Sequence, residues 1–168
     1  MVLALAIVIP IRYFLFQPFF VKGQSMEPNF ENGNYLIIDE LSYRFRVPER
    51  GEVIVFKYPN DPSQRYIKRV IGLPGETIEI KEGKVIIHQQ DSSVKVLDES
   101  SYLGQNSITS GDIKITIGEK EYFVMGDNRI ASYDSRRWGL LPKENIIGRV
   151  LVRAWPFNLA QTFEAPAY

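Results

Sequence analysis

The stretch GQSMEP, residues 23–28, lies where the character of the chain changes. Residues 1–21 before it are predominantly apolar, whereas the sequence after it is charged and rich in β-branched and aromatic residues. Ser25 lies between a glycine and a proline, which favour a fixed turn over the middle of a helix or strand. A serine on such a turn can present its hydroxyl to a cleft, but most serines in turns are ordinary surface residues. Ser25 alone therefore predicts no chemistry.

Composition limits the class of protein and the chemistry open to it. The 168 residues suffice for one domain with a hydrophobic core. The 20 acidic and 20 basic residues balance, so we expect no nucleic-acid partner. Because the chain has no cysteine, disulfides, a thiol nucleophile and thiolate metal sites are excluded. His88 is the single histidine, so a Ser-His-Asp triad would have to use it and a zinc site with several histidines is impossible. We expect neither a metal nor a cofactor.

The sequence pattern predicts an all-β domain, because aromatic and β-branched residues are plentiful and are punctuated by glycine and proline. Strands are predicted at residues 35–38, 52–56, 65–71, 77–80, 85–88, 113–117, 122–125 and 146–155. Turns are predicted at residues 32–34, 48–51, 59–62, 72–75 and 82–83, and residues 41–47 alternate only weakly. The polar, serine-rich residues 89–111 indicate an inserted ribbon or loop, and residues 126–139 indicate a long ordered loop. We interpret His88 as a surface or half-buried strand residue.

The apolar N-terminus is interpreted as a membrane anchor. Residues 2–11 form an uninterrupted apolar run, but a helix of that length reaches only about 15 Å, roughly half a hydrocarbon core. Extending the run to Val21 gives a spanning length that Arg12, Gln17 and Pro18 interrupt. A cleavable signal peptide fits poorly, since no basic stretch precedes the run and no small-x-small site follows it. We therefore interpret residues 1–21 as the C-terminal part of an anchor, with a buried strand or helix of the domain as the alternative.

A second stretch, YIKRVIGLPGE at residues 66–76, offers a base for the serine. Strand alternation places Tyr66, Lys68 and Val70 on one face. Their apolar and aromatic surroundings would desolvate the lysine and lower its pKa, which leaves a neutral amine able to take a proton from a serine. A serine with lysine as its base needs neither histidine nor metal. On spacing alone, the alternative is a strand lysine that reaches solvent.

A third stretch, MGDNRIASYDSRRWG at residues 125–139, completes the pattern. Together with GEVIVF at residues 51–56, the three stretches resemble the bacterial type I signal peptidases, also called leader peptidases. These are membrane-bound serine proteases that remove signal peptides from exported proteins. The order and separations of the four stretches match the family over most of the chain beyond the anchor. The motif Ser-Met-x-Pro is weak by itself, whereas the third stretch is highly specific.

The resemblance implies roles for individual residues. Ser25 is the expected nucleophile and Lys68 the expected general base. Ser132 matches the position whose hydroxyl hydrogen-bonds the lysine amine and orients it. Ion pairs beneath the active site are implied for a supporting group of charged residues, which are Asp127, Asp134, Arg136 and Arg69, with Arg69 as the partner of Asp127. A buried carboxylate needs such a partner, because an unpaired buried charge costs about 3–5 kcal/mol.

Substrate selection follows from the same resemblance. An extended peptide beside the catalytic strand directs its first and third residues before the scissile bond into the enzyme, and the residue between them away from it. The substrate-pocket residues matched to the family are Phe19, Val21, Gly23, Met26, Tyr66 and Ile67. Their shallow walls favour small residues at both positions, the small-x-small rule of the family. Gly23 stands where part of the family has a hydroxyl that contributes to the oxyanion hole.

The resemblance also implies the organisation and location of the chain. A catalytic β domain is expected at residues 22–168, with a small insert at about 82–121. Expected partners are pre-proteins that carry signal peptides and the lipid bilayer, with the catalytic domain on the extracytoplasmic side of the cell membrane. Arg12 and Lys22 alone would mildly favour a cytoplasmic domain, but a whole translocated domain can override that bias.

The apolar tail of the chain has two possible environments. The residues concerned are Trp155, Phe157, Leu159 and Phe163. Tryptophan and phenylalanine favour the membrane interface, so we expect the tail to meet the same bilayer face as residues 1–21. The alternative is that these aromatic side chains belong to the core of the domain.

Two other functions compete with signal-peptide removal. A self-cleaving repressor-type protease uses serine and lysine on a related β core, but it is joined to a DNA-binding helical module through a cleavable Ala-Gly bond. This chain has an apolar N-terminus instead and contains no Ala-Gly dipeptide. The second alternative is a non-catalytic, membrane-tethered β domain that only binds peptides.

Overall fold

The computed structural model describes residues 16–104, 107–166 and 168. Its strands are β1 (Phe16–Phe20), β2 (Tyr35–Asp39), β3 (Val53–Tyr58), β4 (Asp61–Gly72), β5 (Thr77–Lys81), β6 (Lys84–His88), β7 (Val94–Val96), β8 (Ile113–Thr116), β9 (Glu121–Met125), β10 (Leu141–Pro142), β11 (Ile146–Trp155) and β12 (Gln161–Thr162). One helical turn, α1 (Ser135–Trp138), and short 3-10 helices at Ser42–Arg44, Lys143–Asn145 and Phe157–Leu159 connect them.

The predicted anchor falls mostly outside the described residues. Of residues 1–21, only residues 16–21 are described, and they contain β1. Within the described ranges, no helix has both the length and the apolar character required to cross a membrane.

Two antiparallel sheets form the domain. The large sheet has the strand order β1-β2-β11-β3-β4-β9-β10, with β12 beside β11, and the small sheet has the order β7-β6-β5-β8. Every paired strand in both sheets is antiparallel. The prediction of a mostly antiparallel β fold is therefore confirmed. Residues 82–121, where an insert is expected, contain β6, β7 and β8 of the small sheet and the connections between them.

The strand order leaves two strand edges facing one gap. Because successive neighbours are antiparallel, β1, β11 and β4 run in one direction and β2 and β3 in the other. β4 pairs with β9 only from Arg69 onward, so its first part has β3 on one side and no described strand on the other. β1 pairs only with β2 among the described strands. The curvature of the sheet brings β4 near β1, so that Arg65 Nη1 donates to Gln17 Oε1 at 3.3 Å across the gap.

The core follows from the alternation of side chains along β4. Ile67 packs with the side chains beneath β1 and β2, including Leu36 and Ile38. Val70 points to the opposite face and packs with Ile54 and other side chains from β3 and β9. A further apolar cluster lies between the small sheet and β9. Each large apolar side chain so buried contributes about 1.5–3 kcal/mol to stability.

Most predicted strands are found, and the differences have local causes. β4 begins at Asp61, whereas the sequence predicted a turn over residues 59–62 and a strand from Arg65. The weakly alternating residues 41–47 contain a 3-10 turn. The predicted loop at residues 126–139 contains α1, whose N-terminus is capped by the Asp134 carboxylate accepting the Arg136 N–H. The predicted turn at residues 32–34 ends a longer connection between β1 and β2, and this connection contains Ser25.

Candidate active site

Ser25 and Lys68 meet at the end of the gap between β1 and β4. Ser25 lies in the connection that follows β1, and Lys68 lies in β4. Lys68 Nζ is 2.7 Å from Ser25 Oγ, although 43 positions separate the two residues in sequence. Nζ also donates to the carbonyl oxygen of Ile67 at 2.8 Å. The fold thus brings the two expected catalytic groups to hydrogen-bond distance.

The surroundings of Lys68 favour the neutral amine. Its side chain is 4% exposed, and Nζ lies 5.6 Å from the centre of the Tyr66 ring. Desolvation by burial lowers the pKa of Lys68 to about 8, against the opposing charges of Asp134 and Asp127. A neutral amine has the lone pair that a general base requires, and a pKa near the working pH maximises its effectiveness.

The turn that carries Ser25 rests on the start of the loop after β9. The Asn128 N–H donates to the Ser25 carbonyl oxygen at 3.1 Å. A Cβ added at Gly126 would lie 2.3 Å from that same oxygen and 2.3 Å from Ser132 Oγ. Only glycine permits this approach, because any side chain at position 126 would push the Ser25 turn away. No role was predicted for Gly126, although a glycine just after a strand can signal such a close approach.

Asn29 ties the same turn to the supporting charges and to the small-sheet region. Its Nδ2 donates to Asp127 Oδ2 at 2.8 Å and to the carbonyl oxygen of Tyr102 at 2.7 Å. No sequence pattern indicated a role for Asn29, because its partners are distant along the chain and it belongs to no periodic pattern.

Ser132 differs from expectation. Its hydroxyl is buried beside Gly126 and faces Asp134, where it helps to lower the pKa of that carboxylate, and among the described residues it forms no hydrogen bond with Lys68. The amine is held instead by Ser25 Oγ and the Ile67 carbonyl.

Arg69 and Asp127 form the expected buried pair. Arg69 Nε donates to Asp127 Oδ1 at 2.8 Å, and Nη2 donates to Oδ2 at 2.6 Å. Arg69 Nη1 also donates to the Gly51 carbonyl at 2.7 Å. This two-point geometry fixes β4 to the loop after β9, directly beneath Lys68.

Asp134 and Arg136 form the second expected pair. Arg136 Nε and Nη2 donate to the two oxygens of Asp134 at 2.8 and 2.9 Å. The Gly126 N–H adds a bond to Asp134 Oδ2 at 3.0 Å. Burial raises the pKa of Asp134, but the hydrogen bonds and charge of Arg136 outweigh it, so the pKa lies below its usual value.

A third buried pair was not anticipated. Arg129 is 2% exposed, and its Nη1 donates to Glu99 Oε2 at 2.8 Å. It also donates to Thr109 and to the Gly126 carbonyl. The polar segment after β7 is therefore anchored to the loop that supports Ser25. Arg129 stood within a recognised motif, but nothing in the sequence pattern indicated Glu99 as its partner.

An open cleft of about 660 Å³ extends from Ser25 and Lys68 between β1 and the first part of β4. Of the expected pocket residues, those that line it are Phe19, Gly23, Tyr66 and Ile67. Val21 and Met26 do not line it. They are 3% and 1% exposed and pack in the core, because the turn directs their side chains inward toward Phe30.

His88 lies in β6, where its Nε2 is 2.7 Å from Glu79 Oε2. This position on the small sheet confirms the interpretation as a half-buried strand residue.

Comparisons with protein families, with known sequences and with solved structures all match signal peptidases. The family described as signal peptidase, peptidase S26, matches residues 1–155. A probable signal peptidase I-2 from Synechocystis is 39% identical over 162 residues, covering 93% of this chain and 71% of that protein. A signal peptidase I from Leptolyngbya laminosa is 38% identical over 175 residues, covering 99% and 82%. The crystal structure of a signal peptidase I from Enterococcus faecalis is 31% identical with a TM-score of 0.51, covering 62% of this chain and 97% of that one.

Proposed function

This chain belongs to the signal peptidase family, peptidase S26, and from that premise we propose that it is a serine endopeptidase that removes signal peptides from exported pre-proteins. The observation that carries the proposal is the 2.7 Å contact between Ser25 Oγ and a desolvated Lys68 Nζ at the end of an open cleft. A surface lysine near a serine would lack both the lowered pKa and the substrate space.

The reaction uses one amine twice. The neutral Lys68 Nζ takes the proton from Ser25 Oγ while the oxygen attacks the scissile carbonyl carbon. The resulting ammonium protonates the leaving nitrogen, the peptide C–N bond breaks, and an ester to Ser25 remains. Nζ then takes a proton from a water that attacks the ester, and returns it to Oγ as the signal peptide leaves. The surrounding loops are held by two ion pairs, Arg69–Asp127 and Arg136–Asp134, and the two carboxylates partly oppose the fall in the pKa of Lys68.

Negative charge develops on the carbonyl oxygen during both attacks and needs preorganised donors. We assign the Ser25 backbone N–H as one donor. Gly23 contributes no side chain, and its N–H donates to Asn32 Oδ1 at 3.0 Å, so a second donor must come from water or another group.

The substrate fits as a strand between β1 and β4. Both strands run toward Ser25, and no other described strand pairs with the edges that face the cleft, which suits the backbone of an extended peptide. With the residues before the scissile bond lying along these edges, the first and third side chains face Phe19 and Ile67. Ile67 is 4% exposed and belongs to the packed core, which supports shallow pockets that favour small side chains at both positions.

We place the enzyme at the cell membrane with its catalytic domain on the extracytoplasmic side. A row of partly exposed aromatic side chains supports a bilayer-facing surface. Phe20, Tyr35 and Trp155 lie side by side on β1, β2 and β11, and Phe157 follows. Phe20, Trp155 and Phe157 are 60%, 51% and 76% exposed. Phe163 belongs to the core instead, with its ring 4.4 Å from that of Phe30.

Cleavage of a purified pre-protein tests the function. The full chain in detergent should cut after a small-x-small sequence, with the site identified by mass spectrometry. Ser25→Ala and Lys68→Ala should each reduce turnover by about a thousandfold to a millionfold while circular dichroism stays unchanged. Lys57→Ala, an exposed lysine in β3, is the matched control and should retain activity.

The same assay separates the alternatives. Near-normal turnover by Lys68→Ala would contradict the serine–lysine mechanism. Cleavage of the chain itself without cleavage of the pre-protein would favour a repressor-type protease. Peptide binding without cleavage would favour a binding domain.

A further inference from the structure

The side of the cleft opposite Phe19 is built from tyrosines, and we call Tyr58, Tyr66 and Tyr133 the aromatic wall. The rings of Tyr58 and Tyr66 stack with centres 4.8 Å apart. The Tyr58 and Tyr133 rings are 6.1 Å apart and their hydroxyl oxygens 3.3 Å apart. Tyr66 and Tyr133 both line the cleft.

The aromatic wall is held in place from behind. Trp138 of α1 lies 5.8 Å from Tyr58, and Phe56 lies 6.3 Å from Tyr66. Asn60 Nδ2 donates to the Tyr58 hydroxyl at 3.0 Å. Tyr133 is 48% exposed and lines the cleft, so among the described residues part of its ring is open to a bound peptide.

A substrate bound as a strand beside β4 would have one side chain against this wall. A substrate strand parallel to β4, with its scissile bond at the level of Lys68, has its first preceding residue beside Ile67 and its second beside Tyr66. Side chains alternate in both strands, so the second residue points to the face of Tyr66 and Lys68. The sequence alone indicated that this side chain points away from the enzyme. A peptide bound in this register would instead direct that side chain toward the aromatic wall.

We propose that the aromatic wall selects the second substrate residue before the scissile bond, favouring an aromatic side chain, and that Tyr133 is a specificity-determining residue. This rests on the proposed function, whose small-residue pockets fix the register. Aromatic pairing beyond simple burial corresponds to a preference of about twofold to tenfold in kcat/KM.

Two peptides test the proposal. They carry alanine at the first and third positions before the bond and differ only by phenylalanine or alanine at the second. The unmodified protein should cleave the phenylalanine peptide faster, and Tyr133→Ala should bring the kcat/KM ratio of the two peptides close to one. Tyr133→Phe keeps the ring and should retain the ratio. Ile130→Ala is the control, since Ile130 lies in the same loop, is 84% exposed and does not line the cleft.

Binding separates a failure of this proposal from a failure of the proposed function. Dissociation constants of both peptides are measured with Ser25→Ala protein, with and without Tyr133→Ala. If the unmodified protein cleaves neither peptide, the proposed function fails. In that case, tighter binding of the phenylalanine peptide that is lost in Tyr133→Ala would still support the proposed role of the aromatic wall. The proposed role of the aromatic wall is wrong if the two peptides have equal kcat/KM and bind equally well. It is also wrong if Tyr133→Ala leaves the kcat/KM ratio of the two peptides unchanged.

Discussion

Lys68 Nζ has lost most of its solvent, and this loss determines how cleavage should vary with pH. Because the neutral amine is the active form, kcat/KM should rise with pH through about 8 and level off above it. The ordinary lysine value of 10.5 would delay this rise to far more alkaline conditions. Initial rates on one peptide across the neutral and alkaline range measure the profile. A rate that is flat, or that falls as pH increases through neutrality, speaks against Lys68 as the base.

The backbone conformation of Gly23 limits which residues can replace it. Its φ is +89°, a conformation that side chains rarely adopt, and an added Cβ would meet nothing within 4 Å. Gly23→Ala and Gly23→Ser should therefore both destabilise the turn by about 1–2 kcal/mol through strain rather than crowding. We expect both substitutions to lower kcat equally, because a turn displaced by strain would not hold the added serine hydroxyl at the oxyanion hole.

Gly33 provides the matched control for Gly23. It has the same φ of +89° and the same open surroundings, but it lies at the end of the connection near β2. Gly33→Ala should lower the thermal midpoint as Gly23→Ala does, yet keep kcat near normal. If Gly23→Ser is faster than Gly23→Ala, its hydroxyl reaches the oxyanion hole and the purely conformational explanation is wrong.

At the scale of elements, β4 shows what sequence patterns can predict and what they miss. Alternation predicted residues 65–71 because their side chains pack on both faces of the sheet. It missed residues 61–64, which are mostly exposed and contain no large apolar side chain. A strand edge that binds a substrate has no buried side chains in this part, so its sequence shows no apolar alternation. The part of β4 hardest to predict is thus part of the cleft wall.

The loop after β9 shows a second limit. Its motif predicted that Asp127 and Asp134 form buried ion pairs, and in the structure they pair with Arg69 and Arg136. Long-range pairing without a motif was not predictable, as the Arg129–Glu99 contact illustrates. The inward direction of Val21 and Met26 was also missed, because a turn has no fixed period from which to assign faces.

At the scale of the whole molecule, one curved sheet joins substrate entry to the proposed membrane surface. The end of β1 leads to Ser25, and Phe20 at that end packs edge-on against Tyr35 with ring centres 4.8 Å apart. Tyr35 in turn pairs with Trp155 across β2 and β11. The same strand end therefore carries exposed aromatic rings and leads to the cleavage site, which suits a substrate whose cut lies close to the bilayer.

This arrangement predicts that Trp155 meets lipid in the membrane-bound protein. Trp155 packs edge-on against Phe157 at 4.7 Å and is half exposed, whereas the second tryptophan, Trp138, packs beside Phe56 and Tyr58. In the full chain reconstituted into vesicles, lipids brominated along the acyl chain should quench Trp155 strongly in the Trp138→Phe variant. The Trp155→Phe variant retains only Trp138 and should be quenched weakly, because aromatic rings at an interface contact lipid and rings inside the domain do not. Circular dichroism confirms that both variants keep the fold. Equally weak quenching in the two variants would mean that Trp155 remains in water and that another face of the domain approaches the bilayer.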